Sequence, residues 1–467
     1  MDMLQMSTAM RNGEQISRGN QYRLFIALSV PAILEQLVMT LMNYIDTAMV
    51  GGLGYEATAA IGVVASSIWL LNGITGAVCI GFSVQIAQYL GAGKEKESRN
   101  VLCQAILFNI LFGILLAFLA IGAGQVLPKM LGAEASIQAD AKAYFCTVGF
   151  FLPFSMGASM YSAILRCSGN ILLPSLMNVG MCILDVVFNF FLIYPTRKLG
   201  GITVPGAGLG VKGAALGTGL AQACVALLLL LVVVKRRGPL RLKGDETWRF
   251  TRSCMRNTVN LSMPAALERV TLSMAQIVMT AVVTGMGAVS VAVNYVAVQT
   301  ESICYLPAYG VASAATALVG QSIGAQRKDM AKRFAYSTTI LGALLVTGMA
   351  VLMFVGAPVL TGFLTTDTEV IRLSTDALRI VAFSEPLFAV SIVVIGALRG
   401  AGDSKGPFLL NLCSMWGVRV LSVLLFAHKM GILGVWAAMA GELVFRGIIF
   451  LIRLLRGKWT EKNTMLA

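Results

Sequence analysis

The chain has 467 residues, 57% of them hydrophobic and only 12% charged, with a mean hydropathy of +0.79. A water-soluble fold of that length covers its surface with far more charge, so that class is excluded. The net charge of +14 would suit nucleic acid, but the basic residues gather in alternate connections between apolar blocks, as an orientation signal does. The nine cysteines are odd in number and sit almost all in those blocks. Cys79, Cys146, Cys182, Cys224, Cys304 and Cys413 read as small core residues, with neither a disulfide framework nor a metal cluster implied.

Each block reaches the ~20 residues a helix needs to cross the hydrocarbon core. The short alternating segments of a β-barrel are missing. The expected fold class is an all-α integral membrane protein with twelve transmembrane helices. They are placed at 24–49, 59–87, 101–125, 143–165, 172–194, 211–234, 257–284, 290–319, 335–360, 375–398, 407–427 and 432–455. The polar opening has no small-residue cleavage site, so the first span is expected to act as its own membrane signal. An even number of spans puts both termini on one side. The connections near 91–99, 166–170, 235–256, 324–333 and 399–405, with the two tails, hold most of the 36 Lys and Arg. A cell-membrane protein with both termini in the cytoplasm follows.

The domain plan is a tail over 1–23, a six-helix lobe over 24–234, a basic linker over 235–256, a second lobe over 257–455 and a tail over 456–467. The lobes are repeats. LSVPAILE at Leu28–Glu35 returns as LSMPAALE at Leu261–Glu268, an offset of 233. Without a gap, that offset carries Gln88 and Gly91 onto Gln321 and Gly324, Arg166 onto Arg399, Gly169 onto Gly402 and Asn178 onto Asn411. Register is lost after the fifth span, where the connection YPTRKLGGITVPGAG lengthens the first copy. Two parallel six-helix copies imply a pseudo-two-fold axis along the membrane normal and a cavity between lobes.

The repeat sorts the polar residues. Glu35 and Glu268 match, each four residues after a proline, and are expected to satisfy backbone groups freed by Pro31 and Pro264. Arg166 and Arg399 match and read as helix-end anchors. The unmatched acids differ. Asp46 corresponds to Met279, and Asp185 to Val418. A charged group at membrane depth costs at least ~2.5–3.5 kcal/mol, so each is a functional candidate. Asn178, Cys182, Asp185 and Asn189 share one helix face, and Asn43 and Thr47 lie near Asp46. Asp46, Asp185, Asn43, Asn178 and Asn189 are therefore the candidate ion-coupling set. The alternative is a hydrogen-bonded network that only fastens two helices. The carboxylates could exchange a proton with the medium or hold Na⁺; no other metal and no cofactor is expected.

The second copy has its own unmatched acid, Glu301, at the place of Ile68. It shares span eight with Tyr295, Gln299 and Tyr305, an aromatic and acidic wall suited to an organic cation. Interhelical bonding to Arg269 or Arg419 is the other reading. Glu385 and the i,i+4 pair Glu442/Arg446 read as structural.

Six strings together resemble the multidrug and toxic compound extrusion (MATE) transporters over nearly the whole chain: YIDTAMVGGLG (44–54), VQIAQYLGAGK (84–94), LRCSGN (165–170), ESICYLPAYG (301–310), ALVGQSIGAQR (317–327) and ALRGAGDSKGP (397–407). The resemblance implies export of amphipathic, often cationic compounds in exchange for H⁺ or Na⁺ by lobes that rock between two states. It implies an ion-site Asp at Asp46 and, in the DinF-like branch, a second at Asp185. That branch has Asn one turn before the second Asp, where this chain has Met181, with Asn189 one turn after. The NorM-like branch uses acids in spans seven and ten, where this chain has Leu272 and Phe388. A DinF-like, proton-coupled monomer in the lipid bilayer is the expectation.

The alternative within the superfamily is a lipid-linked precursor flippase, which would line its cavity with several basic residues for pyrophosphate. Here the intramembrane cations are few: Arg269, Arg379, Arg419 and Arg446. A membrane glycosyltransferase or other enzyme would need an Asp-x-Asp or His-rich connection, and none occurs. A channel would need a pore loop or ring of charges.

Overall fold

The computed structural model describes residues 5, 8–9, 12, 18–199, 202–235, 238–365 and 367–461, side chains at 18, 21, 22, 24, 25, 55, 197–199, 202–204 and 428 excepted. Most of the tail assigned to 1–23, the end of the 456–467 tail and parts of three connections lie outside the described residues.

Among the described residues, eleven helices are long and apolar enough to cross a membrane, and a bent pair supplies a twelfth. Spans one to six are the helices Arg18–Gly51, Tyr55–Gly91, Glu95–Gly124, Ala135–Cys167, Leu172–Leu192 and Gly210–Lys235. Spans seven to nine are Arg252–Thr284, Ala288–Gly324 and Lys328–Gly362. Span ten is the pair Thr368–Ala382 and Glu385–Gly400, and spans eleven and twelve cover Lys405–Ala427 and Lys429–Arg456. Large apolar side chains such as Phe118, Leu119, Val355, Phe363 and Leu425 lie exposed along these helices. That is the surface expected where the solvent is lipid.

The structure departs from the sequence reading in three elements. Span ten is not one helix over 375–398: its halves meet at 58°. Pro386 has no N–H for the Ala382 carbonyl, and the Ser384 hydroxyl turns back onto the Val381 carbonyl at 2.7 Å, so the first half stops there. Span eleven passes through a π-helical turn, Met415–Val420. The long connection after span five contains an antiparallel hairpin, β1 (Pro195–Leu199) and β2 (Ile202–Ala207).

The backbone repeats as the sequence does. Gly54 and Gly287, 233 apart, take φ of 113° and 99° before spans two and eight, and Gly169 and Gly402 take 96° and 90°. In the turn after span two the left-handed residue is Gly93 (75°); its counterpart after span eight is Gln326 (59°). Gln326 is the one non-glycine with positive φ among the described residues.

The chain packs as two compact units. One comprises Val38–Ile86 and Lys94–Thr258; the other comprises Met1–Leu37, Ala87–Gly93 and Val259–Ala467. In the first, span four packs between spans three and six over a core that includes Val64, Leu116, Phe145 and Leu152. In the second, span eight is the central element, against spans nine and ten, and the core holds Val346, Leu378, Val381 and Trp436.

The matched acid of the second copy does not serve the backbone near Pro264. Glu268 accepts from Arg399 Nη2 at 3.0 Å and from Asn411 Nδ2 at 2.9 Å. Arg399, expected to anchor a helix end, is thereby the partner of a buried carboxylate.

Candidate functional site: a paired carboxylate in the first unit

Span five is strongly amphipathic for a membrane helix because its polar residues fall on one face. Asn178, Cys182, Asp185 and Asn189 are all buried, and Asp185 and Asn189 are each only 1% exposed. Asp46 comes in from span one, half-buried, five residues before the helix ends at Gly51. Asn189 Nδ2 donates to Asp46 Oδ1 at 3.0 Å. The Asp46 and Asp185 carboxyl groups lie within hydrogen-bonding reach of each other.

Neither Asp185 oxygen receives a well-formed hydrogen bond, although Thr218 of span six approaches it. Two carboxyl groups in that contact can share a proton or a cation. Tyr144 of span four faces both acids. Span six closes the back of the site with Gly217, where a β-carbon would collide with Asn189 Oδ1 and lie 3.0 Å from its backbone nitrogen.

Of the five predicted ion-site residues, three come together: Asp46, Asp185 and Asn189. Asn178 donates to Ser162 Oγ at 3.4 Å, two turns away along span five. Asn43 is exposed, and its backbone carbonyl takes the Thr47 hydroxyl at 2.8 Å. Sequence reasoning missed Tyr144, Gly217 and Thr218. Gly217–Thr218 sits in a run of small residues at the start of span six, a signal of close helix approach that could have found it.

In the other unit, Glu301 is buried at 5% exposure with Tyr305 one turn further along span eight. The Tyr305 ring lies 5.2 Å from Phe388 and 6.4 Å from Tyr309. Tyr295 is 58% exposed, and Gln299 is half-buried. Arg419, one of the two expected partners of Glu301, is its nearby cation.

The fold and these buried acids define a polytopic membrane transporter made of two parallel six-span repeats, not an enzyme. The sequence model of the MatE family matches residues 31–191 and 264–425, one match in each repeat, and the chain belongs to that family. It is 27% identical over 448 residues to the probable multidrug resistance protein NorM of Thermotoga maritima, covering 94% of this chain and 93% of that one. It is 24% identical over 439 residues to the uncharacterized transporter YisQ of Bacillus subtilis, covering 94% and 95%. Its fold matches the crystal structure of a MATE protein in complex with MaL6 at a TM-score of 0.88 and 21% identity, covering 98% and 99%.

Proposed function

We propose that the chain is an antiporter that exports small amphipathic, often cationic organic compounds from the cytoplasm in exchange for protons, by alternating access. The observation that carries this reading is the contact between Asp46 and Asp185, steadied by Asn189. A carboxylate pair that holds one small cation in low dielectric, and releases it when its surroundings change, couples a gradient to a conformational equilibrium. Each charge moved is worth ~2.3 kcal/mol per 100 mV of membrane potential. The lone unmatched acid of span eight, Glu301, with Tyr305, Gln299 and Tyr295, is the wall that an organic cation would meet. The multidrug names of the relatives support that substrate class. We place both termini in the cytoplasm and assign transport to the monomer.

Counterflow of a fluorescent organic cation in proteoliposomes tests the reading. Uptake should follow an imposed pH gradient and fall to background in Asp46→Asn. Uptake that follows a Na⁺ gradient alone would reassign the coupling ion. Uptake at the unaltered rate in Asp46→Asn would remove the site.

A further inference from the structure

The last turn of span one has the same backbone bonds as the last turn of its repeat mate, span seven. The Gly52, Leu53 and Gly54 amides donate to the Ala48, Val50 and Gly51 carbonyls at 3.1, 2.9 and 3.2 Å. The Gly285, Met286 and Gly287 amides donate to the Ala281, Val283 and Thr284 carbonyls at 3.1, 3.0 and 3.2 Å. Each set passes over one carbonyl, Met49 in the first copy and Val282 in the second. A carbonyl left over at a helix end needs a donor from elsewhere. The Tyr194 hydroxyl donates to Met49 at 2.8 Å.

The second copy has no such hydroxyl, because the same offset puts Ala427 opposite Tyr194. The two turns differ accordingly in what surrounds them. A β-carbon on Gly52 would lie 3.1 Å from the Tyr194 hydroxyl oxygen. One on Gly285 would meet the Val282 and Ala281 carbonyls, at 3.4 and 3.6 Å, and no side chain among the described residues. The capped copy is the one that carries Asp46, three residues before Met49 and so within one turn of it.

Tyr194 is itself held in place. It opens the connection that lengthens the first copy, and the base of the β1–β2 hairpin folds back onto it. The Gly208 amide donates to the Tyr194 carbonyl at 3.0 Å, Leu209 to Leu192 at 2.9 Å and Gly210 to Ile193 at 3.0 Å. A β-carbon on Gly206 would overlap the Tyr194 carbonyl oxygen. The Tyr194 ring packs with Met49, Val50, Leu53 and Ile193. Asn189, the donor to Asp46, lies five residues earlier. Span five and its hairpin thus grip span one twice, at the carboxylate and at the backbone just beyond it.

We propose that Tyr194, seated by the hairpin, is a positioning residue for Asp46: its hydroxyl caps Met49 and fixes the last turn of span one, so that the carboxylate meets Asn189 and Asp185. The proposal rests on the reading of Asp46 as an ion-coupling acid. Helix ends fray, whereas a working side chain must be held to about 0.5 Å.

The melting temperature of the full chain in detergent is measured against pH and against Na⁺ concentration. The part of either dependence that Asp46→Asn removes belongs to Asp46. Tyr194→Phe keeps the ring and loses the donor. It should displace the midpoint of that part by about three- to tenfold in ion concentration, the worth of one hydrogen bond. Gly52→Ala crowds the same hydroxyl without altering Tyr194 and should displace the midpoint as well. Added to Tyr194→Phe, it should do little more. Gly285→Ala, in the matching turn of the second copy, should leave the midpoint in place.

A midpoint that stays put in Tyr194→Phe or in Gly52→Ala, or that moves as far in Gly285→Ala, overturns the proposal. Tyr194 would then be a tether only, and the ion-site reading would stand. Absence of any Asp46-dependent part in the unaltered protein would remove the ion-site reading, and the positioning role with it.

Discussion

Gly91 and Gln321 meet where spans two and eight end, so closely that a β-carbon on Gly91 would overlap the Gln321 carbonyl oxygen. Their repeat mates do the same in reverse: a β-carbon on Gly324 would overlap the Gln88 carbonyl oxygen. The crossing is its own image under the 233-residue offset. Small residues that let backbones touch are the usual means of holding membrane helices together, because lipid leaves little hydrophobic drive between them. Gly91→Ala and Gly324→Ala should each cost about 1–3 kcal/mol, by forcing two backbones apart. Because one crossing can open only once, the double substitution should cost less than the sum. Gly62→Ala, which has open space around it, should leave the melting temperature in detergent unchanged or raised. Equal melting for all four proteins would show that the contact carries no stability.

In the first-unit site, Gly217 and Asn189 are coupled by the same kind of crowding. Gly217→Ala should push Asn189 off Asp46 and lower pH-driven uptake as far as Asn189→Ala does. In the Asn189→Ala background, where nothing is left to push, Gly217→Ala should have little further effect. The measurement is a double-mutant cycle on initial uptake rates. Additive losses would show that Gly217 acts elsewhere.

Glu268, Arg399 and Asn411 form a cluster whose three members all belong to the matched set of the repeat. Removing one partner of a buried pair leaves the other charge uncompensated, at a cost of ~3–5 kcal/mol. Arg399→Gln should therefore destabilise strongly, and Glu268→Gln added to it should recover much of the loss. Thermal unfolding in detergent checks both. No recovery in the double variant would mean that Arg399 stabilises through contacts other than Glu268.

The same residues mark how far sequence carried. Length and apolarity placed the spans, and the offset of 233 sorted Asp46 and Asp185 from their neutral counterparts. That Arg399 and Asn411 both reach Glu268, from 131 and 143 residues away, was hidden because the repeat identifies equivalent positions and not contacts within a copy. The break in span ten was signalled by Pro386 but masked by continuous apolar residues on both sides. The π turn at Met415–Val420 has no such signal, since one extra residue per turn leaves composition untouched.

Gln326 stands where the first copy has Gly93, at a φ of 59° that costs a residue with a β-carbon about 1–2 kcal/mol. The side chain is exposed, so nothing is lost with it. Gln326→Gly should raise stability by up to about 1 kcal/mol, the strain relieved less the added freedom of glycine in the unfolded chain. Chemical denaturation of the two proteins side by side would detect it. A less stable glycine variant would mean the turn is held by Gln326 itself.

The linker between the repeats is held down by a carboxylate. Glu246 accepts from the backbone N–H groups of Lys243 and Gly244, both at 2.9 Å, and from Arg99 Nε at 2.7 Å. The Thr247 and Thr251 amides then donate to Asn100 and Gln104 of span three. Partial desolvation works to raise Glu246, but the Lys243 amide, Arg99 and the Gly244 amide outweigh it and hold the carboxyl below its ordinary 4.5. A depressed carboxylate contributes stability that is complete above its unfolded value and lost as pH falls through the folded one. The linker should therefore stay docked at neutral pH and release below 4.5. Glu246→Gln should release it already at neutral pH, because the amide carries no charge for Arg99. Fluorescence of Trp248, isolated by difference against Trp248→Phe, reports the event. Emission that stays constant on acidification, or that is the same in Glu246→Gln at neutral pH, would show that Arg99 and Glu246 do not hold the linker.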